Sequence, residues 1–285
     1  MKYRLLIIPI LLLLSFTNNQ EELKMAFAFD DINAASNSNI ESSNIIFCED
    51  FENDFVWYGL HKQFGTKYAF RVVRRPVLDG ARSGRFELHD SDPITSGGTR
   101  AEVLFPEQSN LHRWYGFAVY FPSVDYACDS YTEIISQWHQ GRGKSPSIAL
   151  EIKNDQYRLV IPSKASGTGA IERIELGFIT KDKWNQFAFH IKHSSGSDGL
   201  LEIYLDGEKI LSRSGSNMYS LSSASAPRWK IGIYKWKWNG SKTTDTKKRV
   251  LYFDNVRIGN EKTKISEISF WHTPSPKFKT RFSEI

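Results

Sequence analysis

Residues 184–211, WNQFAFHIKHSSGSDGLLEIYLDGEKIL, contain two runs in which apolar and polar residues alternate. Such a period of two places the apolar side chains on one face of a β-strand. In the second run the pair Asp206-Gly207 interrupts the alternation, and an Asp-Gly pair between two strand-like runs is a strong signal for a tight hairpin. The stretch therefore predicts antiparallel strands that each bury one face.

The same pattern continues on both sides of this stretch. Short apolar or alternating runs, such as EIISQWHQ at 133–140 and SIALEIKN at 147–154, are separated by Gly, Pro, Ser or Asn/Asp clusters. Aromatic residues make up 14% of the chain, and no long helical period interrupts the pattern. These features predict an all-β fold with one domain over residues 45–260, a β-jelly roll of the concanavalin-like antiparallel sandwich type.

The N-terminus predicts export. Lys2 and Arg4 precede the apolar run 5–14, which is too short to cross a bilayer and has the form of a secretory signal. We assign residues 1–28 to the signal peptide, 29–44 to an Asn- and Ser-rich linker, and 261–285 to a C-terminal extension. The mature protein is therefore expected to be secreted or periplasmic, with no membrane attachment once the signal is removed.

Charge and cysteine content leave alternatives open. The net charge of +5 and the pI near 9.0 favour an anionic partner, although a solvated basic surface has the same composition. Because the basic residues are not clustered, nucleic acid is not the expected partner. Cys48 and Cys128 either form one disulfide in an oxidising compartment or stay as two buried thiols. The protein is expected to be a monomer.

Polar residues two or four apart on a predicted strand share a face, because the side-chain period of a strand is two. Three predicted strands carry such pairs opposite an apolar or aromatic face, which predicts a polar, partly cationic face on one sheet. The pairs are Arg100 with Glu102, Gln137 with His139, and Lys230 with Tyr234. Gly232 lies between Lys230 and Tyr234 and is expected to leave room above the sheet.

Each pair also has a structural interpretation. Arg100 and Glu102 fit a simple salt bridge. His139 fits a hydrogen-bonded structural histidine, and Tyr234 fits packing in an aromatic strand. The alternation of Lys and Trp over residues 235–238 fits a solvated edge strand. Spacing alone does not decide between an enzyme and a structural sheet.

The order of several segments resembles a known family. TRAEV at 99–103, QWH at 137–139, KIGIY at 230–234 and YFDNVRIG at 252–259 are similar to segments of the polysaccharide lyase family that includes heparin lyase I. Glucuronan lyases and alginate lyases are jelly-roll relatives of that family. QWH and the Lys-x-x-x-Tyr spacing are the most specific parts of the resemblance. The chain has no segment for the large insertion of heparin lyase I, so a plain uronan is the expected substrate.

The resemblance implies roles for individual residues. His139 and Tyr234 match the catalytic pair of the family, and Arg100 and Lys230 match contacts to a substrate carboxylate or sulfate. Trp138 alternates with His139 and is expected to point into the core. Trp236 and Trp238 are expected to stack on sugar rings if the strand after Tyr234 stays regular. The predicted substrate-binding residues are Arg100, Glu102, Gln137, Arg142, Lys230 and Trp236.

The chemistry of a uronic-acid lyase explains this choice of residues. Such an enzyme removes the C5 proton, neutralises the carboxylate and protonates the departing O4. Arg100, Gln137 and Lys230 are candidates for the neutralising role. His139, with an unperturbed pKa of about 6.5, and Tyr234 are both candidates for the base. When C5–H and O4 are syn, one tyrosine serves as base and acid; when they are anti, both residues are needed.

The sequence therefore predicts a secreted polysaccharide lyase that cleaves an anionic uronic-acid polysaccharide by β-elimination. Glucuronan is the first expected substrate, and alginate or a glycosaminoglycan comes next. The alternative is a non-catalytic carbohydrate-binding jelly roll that uses the same face. A glycoside hydrolase is disfavoured, because Glu172 and Glu175 are three apart and face opposite sides of a strand.

A structural calcium ion is the only cofactor that the sequence suggests. The segments EDFE at 49–52 and FDNV at 253–256 place Glu49, Asp50 and Asp254 on what are adjacent terminal strands in many jelly rolls. Hard oxygen ligands of this kind suit Ca²⁺. Ordinary surface carboxylates are the alternative interpretation.

Overall fold

The computed structural model describes residues 44–141, 143–162, 171–240 and 244–269. The predicted signal peptide and nearly all of the predicted linker lie outside these ranges. A 3-10 helix covers Trp236–Asn239 and a one-turn α-helix covers Ile265–Ile268. The described strands are β1 (Ile45–Glu49), β2 (His61–Phe64), β3 (Phe70–Val73), β4 (Ser83–His89), β5 (Arg100–Leu104), β6 (His112–Tyr120), β7 (Glu133–His139), β8 (Ile148–Lys153), β9 (Gln156–Pro162), β10 (Ile171–Phe178), β11 (Trp184–Lys192), β12 (Leu200–Leu205), β13 (Glu208–Ser214), β14 (Arg228–Tyr234) and β15 (Lys248–Gly259).

The strands form two antiparallel sheets. One is eight-stranded, with the order β13-β12-β11-β6-β15-β4-β3 and with β1 paired to β15. The other is seven-stranded, with the order β10-β9-β8-β7-β14-β5-β2. Asp206 and Gly207 form the turn between β12 and β13 as predicted, and both have positive φ. The predicted all-β jelly roll is confirmed.

The two sheets enclose an aromatic core. Trp138 of β7 and Trp229 of β14 are buried and stack with ring centroids 6.2 Å apart. Trp229 Nε1 donates a hydrogen bond to Ser136 Oγ over 2.9 Å, which satisfies a buried donor. Because Trp138 faces the core, Gln137 and His139 face the other side of the seven-stranded sheet, as the alternation predicts.

Strand β14 ends at Tyr234, and the chain turns into the 3-10 helix instead of continuing as an edge strand. Lys235 is fully buried, with Nζ 3.1 Å from Glu133 Oε2 and 3.2 Å from Asp129 Oδ2. Arg249 of β15 places Nε 2.6 Å from the same Glu133 oxygen. We call Asp129, Glu133, Lys235 and Arg249 the buried charge cluster, which links the two sheets. The alternative interpretation of residues 235–238 as a solvated edge strand is therefore wrong.

The two cysteines are neither bridged nor buried. Cys48 and Cys128 are free, exposed thiols, so both alternatives predicted for them are wrong. Part of the C-terminal extension, residues 261–269, belongs to the described structure, and its helix packs Ile268 against Trp114 of β6. Within the described ranges, no helix has the length and apolar character needed to cross a membrane.

Candidate active site

The sheet register brings the predicted polar residues together. Lys230 of β14 lies opposite Gln137 of β7, and Gly232 lies opposite Glu102 of β5. Strand β2 adds Gln63, which also lies opposite Glu102. The four polar side chains of this group lie on the face turned away from the aromatic core, yet all four are buried. They therefore form a buried polar floor on the outer face of the seven-stranded sheet.

Glu102 holds this floor together. Its Oε2 lies 2.8 Å from Arg100 Nη1 and 3.8 Å from Lys230 Nζ, and its Oε1 accepts a hydrogen bond from Gln137 Nε2. Gln63 Oε1 accepts a hydrogen bond from Lys230 Nζ over 3.1 Å. We call Gln63, Arg100, Glu102, Gln137 and Lys230 the central polar cluster. Glu102 is 1% exposed and both oxygens are engaged, so it supports the site, in contrast to the predicted substrate contact.

The central polar cluster carries excess positive charge. Arg100 and Lys230 set two cations against the one carboxylate of Glu102, and Arg228, opposite His139 in the register, adds a third cation. Burial lowers the pKa of Lys230; Glu102 opposes this change and the neighbouring guanidinium groups reinforce it. Nε of Arg100 and Nε of Arg228 are buried without a hydrogen-bond partner. A floor with this charge attracts an anionic ligand.

Gly232 is required by the packing of two backbones. Its φ is +138°, and a Cβ at this position would lie 2.1 Å from the carbonyl oxygen of Ala101. Only glycine tolerates both conditions. The expectation that Gly232 leaves room above the sheet is therefore wrong, because its role is to let β14 approach β5.

Tyr234 is held by its neighbours at one end of the central polar cluster. The Arg100 guanidinium lies 4.1 Å from the centroid of the Tyr234 ring, and the ring of Trp236 lies 6.1 Å away. Gly98 packs so closely that an added Cβ would lie 2.6 Å from the Tyr234 ring and 2.8 Å from Arg100 Nη2. These contacts fix the position of the phenol. The sequence pattern gave no indication of Gly98.

Replacing Gly98 by alanine is expected to displace Tyr234 and Arg100. Under the catalytic role that the family resemblance implies for Tyr234, a displacement of about 1 Å should lower kcat by about 10²-fold. The fold should persist, since Gly98 lies outside the regular strands. Initial rates and thermal unfolding of Gly98→Ala test this. Gly196→Ala is the matched control, because a Cβ there makes only ordinary contacts. Equal rates for the two variants would show that Gly98 does not position the site.

His139 lies at the other end of the central polar cluster. Its Nδ1 accepts a hydrogen bond from the backbone N–H of Gly141 over 2.9 Å. Because an accepting nitrogen carries no proton, this bond assigns the proton of the neutral ring to Nε2. The pKa of His139 is lowered to about 4, first by burial and then by nearby cations. These cations are Lys230, Arg100 and Arg228. At neutral pH, His139 is therefore an uncharged hydrogen-bond donor at Nε2.

The register separates His139 from Tyr234 along the sheet. His139 lies opposite Arg228, whereas Tyr234 lies opposite Ile134 and Arg100. Arg228 and Tyr234 are six residues apart on β14, whereas their partners His139 and Ile134 are five residues apart on β7, because the register shifts between Ile231 and Tyr234. The central polar cluster lies between these positions.

A comparison with known protein families gives one match. The model of the family described as Polysaccharide lyase matches residues 43–257. The chain belongs to the polysaccharide lyase family. The matched residues include every strand that contributes to the central polar cluster.

Solved structures show the fold shared by this polysaccharide lyase family member. The endo-β-1,4-glucuronan lyase from the fungus Trichoderma reesei has a TM-score of 0.63 at 20% identity, over 79% of this chain and 98% of that chain. Alginate lyase A1-II′, a member of polysaccharide lyase family 7, has a TM-score of 0.50 at 13% identity, over 69% and 85% of the two chains. The receptor-binding domain of botulinum neurotoxin type G has a TM-score of 0.50 at 14% identity, over 79% and 50%. At these identities the likeness establishes the fold alone. A search of curated proteins finds no match.

In this polysaccharide lyase family member, the loop segment before β14 is held against the end of β7, next to His139. Gln140 is fully buried, donates to the carbonyl oxygens of Tyr219 and Ser225, and accepts from the Tyr219 N–H over 2.7 Å. Lys144 places Nζ 5.6 Å from the centroid of the Tyr219 ring. Gln140 therefore anchors the segment before β14 to the end of β7. The predicted substrate contact Arg142 lies outside the described residues.

The carboxylates proposed for calcium do not fit such a site. Glu49 accepts the backbone N–H groups of Phe51 and Trp57 through its two oxygens. Asp254 accepts the backbone N–H groups of Leu78 and Asn255, and burial raises its pKa to about 7. Among the described residues, no group of three or more His, Cys, Asp or Glu side chains is placed to hold a metal ion. The predicted calcium ligands therefore serve as acceptors for loop backbone.

The structure also adds residues that the sequence interpretation missed. Arg228 shares a face with Lys230 by the same two-residue spacing, so the alternation rule identifies it once β14 begins one residue earlier. Gln63 comes from β2, whose four residues HKQF carry no clear strand pattern.

Trp238 is fully buried and donates to Thr244 Oγ1 over 2.8 Å, so the predicted sugar-stacking role of Trp238 is wrong.

Proposed function

We propose that this protein is an exported lyase that cleaves a β-1,4-linked uronan by β-elimination. The observation that carries the proposal is the central polar cluster, a buried cationic floor flanked by His139 and Tyr234. Family membership supports a reaction on a polysaccharide. The N-terminal pattern of Lys2, Arg4 and the apolar run 5–14 supports export.

The cationic floor would bind the carboxylate of the uronate whose C5 proton is removed. Lys230 Nζ has three protons, and the described acceptors Gln63 and Glu102 leave one free for a ligand. Removing the C5 proton places negative charge on the carboxylate oxygens, and donors fixed before the reaction stabilise that charge.

The tautomer of His139 supports Tyr234 as the side chain that moves the protons. Its Nδ1 lone pair is engaged by Gly141 and its Nε2 already carries a proton, so the neutral ring has no free basic nitrogen. In the proposed step the phenolic oxygen of Tyr234 takes the C5 proton, and the C5–H electrons form the C4=C5 bond as the C4–O4 bond breaks. The same oxygen then passes that proton to O4, so one side chain accounts for both proton transfers.

One residue that acts as base and acid requires C5–H and O4 on the same side of the sugar. Glucuronate-type and mannuronate-type residues have this syn arrangement, whereas guluronate-type and iduronate-type residues are anti. We therefore place glucuronan first among substrates, with mannuronate-rich alginate and glucuronate-containing glycosaminoglycans next. The fold shared with a glucuronan lyase is consistent with this order.

A panel of polymers tests the proposal. The purified protein is incubated with glucuronan, polymannuronate, polyguluronate and heparin, and the ultraviolet absorbance of the new C4=C5 bond is followed. We expect a rise with glucuronan or polymannuronate and none with polyguluronate. A rise only with polyguluronate would contradict the syn assignment. Binding without any rise would identify the protein as a carbohydrate-binding jelly roll.

The pH dependence of kcat/KM should lack a protonation step near the ordinary histidine pKa. His139 has a lowered pKa of about 4, so it stays neutral until the pH falls to that value, and only then does a proton at Nδ1 break the bond from Gly141. We expect activity to be insensitive to this group from pH 8 down to about pH 5. Rates measured on glucuronan across this range, with circular dichroism at each pH, test this. An acidic limb centred near pH 6.5 that disappears in His139→Gln would contradict it.

A further inference from the structure

An exposed aromatic pair lies beyond Tyr234. Trp236 keeps 39% exposure and Tyr131 keeps 37%, whereas Trp138, Trp229 and Trp238 are buried. Trp236 begins the 3-10 helix that follows β14, and Tyr131 lies just before β7. Lys237 places Nζ 5.5 Å from the centroid of the Tyr131 ring. Two exposed rings and a cation therefore lie together at the Tyr234 end of the central polar cluster.

This group is continuous with the candidate active site. The Trp236 ring lies 6.1 Å from the Tyr234 ring at 55°. Tyr234 lies opposite Ile134 in the register, and Tyr131 is three residues before Ile134 in the chain. A polysaccharide that passes over Tyr234 and continues along the axis of β14 therefore meets Trp236 and Tyr131 next.

Contacts of the buried Lys235 side chain fix the backbone that carries the two rings. Lys235 Nζ donates to the carbonyl oxygen of Tyr131 over 3.0 Å and also pairs with Asp129 and Glu133. The exposed rings of Tyr131 and Trp236 therefore lie on backbone that is held by the buried charge cluster. A rigid support lowers the entropy lost when a ligand binds.

We propose that Tyr131, Trp236 and Lys237 form a subsite for the uronate residue next to the one that Tyr234 deprotonates. This inference rests on the proposed function and extends it. The aromatic faces pack against the apolar C–H faces of the sugar, and Lys237 pairs with its carboxylate. Tyr131 and Lys237 do not take part in proton transfer. The subsite contributes to substrate affinity and leaves the chemical step unchanged.

Chain affinity and turnover separate this role from catalysis. For Tyr131→Ala we expect KM for polymeric glucuronan to rise about tenfold with kcat within about twofold. Lys237→Met should raise KM by a smaller factor, and the rise should shrink at high salt because the contact is charged. Phe178→Ala, which removes an exposed ring at the far edge of the same sheet, is the matched control and should leave KM unchanged.

Binding without catalysis gives a second readout. In a Tyr234→Phe background, affinity is measured for glucuronan and for the same polymer with its carboxyl groups reduced to alcohols. Lys237→Met should weaken binding to the carboxylated polymer only, whereas Tyr131→Ala should weaken binding to both. If the wild-type protein cleaves a uronan and these variants match the Phe178→Ala control, the subsite is wrong and the proposed function stands. If the wild-type protein neither binds nor cleaves any uronan, both proposals are wrong.

Discussion

Replacing Tyr234 by phenylalanine is expected to lower kcat on glucuronan by about 10²–10⁴-fold, the usual contribution of a positioned general acid or base. The Tyr234 phenol is the one group that carries out both proton transfers in the proposed mechanism. Phenylalanine preserves the ring, so the packing against Arg100 and Gly98 is kept while the hydroxyl is lost. KM should change little, because the central polar cluster that binds the carboxylate remains.

Two other variants sharpen this test. His139→Gln should lose only about tenfold, because a glutamine amide also donates a hydrogen bond to the substrate carboxylate. Tyr58→Phe, which removes an exposed hydroxyl from the loop before β2, should retain kcat. Initial rates under saturating glucuronan compare the three. If His139→Gln lost as much activity as Tyr234→Phe, or if Tyr234→Phe kept more than a tenth of kcat, Tyr234 would not be the principal base.

Replacing Lys235 by methionine is expected to reduce the free energy of unfolding by about 3–5 kcal/mol, the range for breaking a buried ion pair from one side. Lys235 is fully buried between Asp129 and Glu133, and Arg249 alone would remain to neutralise the two carboxylates. Although burial opposes ionisation, hydrogen bonds and nearby cations lower the pKa of Asp129, so this carboxyl stays charged at neutral pH. The variant therefore leaves a buried charge uncompensated.

Urea unfolding of Lys235→Met measures this loss as a shift in the transition midpoint. Lys237→Met is the matched control, because Lys237 is two residues away on the same 3-10 helix but is partly exposed. The control should change stability by no more than about 0.5 kcal/mol. A Lys235→Met midpoint equal to that of the control would show that the buried charge cluster does not stabilise the fold.

The parts of the fold that local spacing controls could be predicted from the sequence. Alternation identified the strands, and it placed Gln137, His139 and Lys230 on one face with Trp138 on the other. The Asp206-Gly207 turn followed from the conformations that an Asp-Gly pair favours. These features depend on residues that are close together in the chain.

Features that depend on distant partners could not be predicted in this way. The sequence pattern suggests that Lys235 is a surface residue. In the structure it is buried with Asp129, Glu133 and Arg249, which come from other elements. Glu102 looks like a ligand contact until Arg100, Gln137 and Lys230 occupy its oxygens. The amino-acid sequence alone does not show which acceptor each hydrogen-bond donor contacts in the folded protein.

Backbone groups account for the remaining differences. The tautomer of His139 depends on the N–H of Gly141, whose φ of +67° places a turn directly after β7. The carboxylates of Glu49 and Asp254 accept backbone N–H groups, which no spacing of carboxylates reveals. Sequence patterns identify side chains, whereas these contacts arise from where the backbone turns.

The mass of the products released from glucuronan by the wild-type protein distinguishes β-elimination from hydrolysis. β-Elimination breaks C4–O4 without adding water, so each new non-reducing end carries a C4=C5 bond and the oligosaccharides are lighter by one water molecule than hydrolysis products. We expect these unsaturated, ultraviolet-absorbing products, and we expect their loss in Tyr234→Phe. Saturated products of hydrolytic mass, or a polymer that is bound but left intact, would contradict the proposed β-elimination.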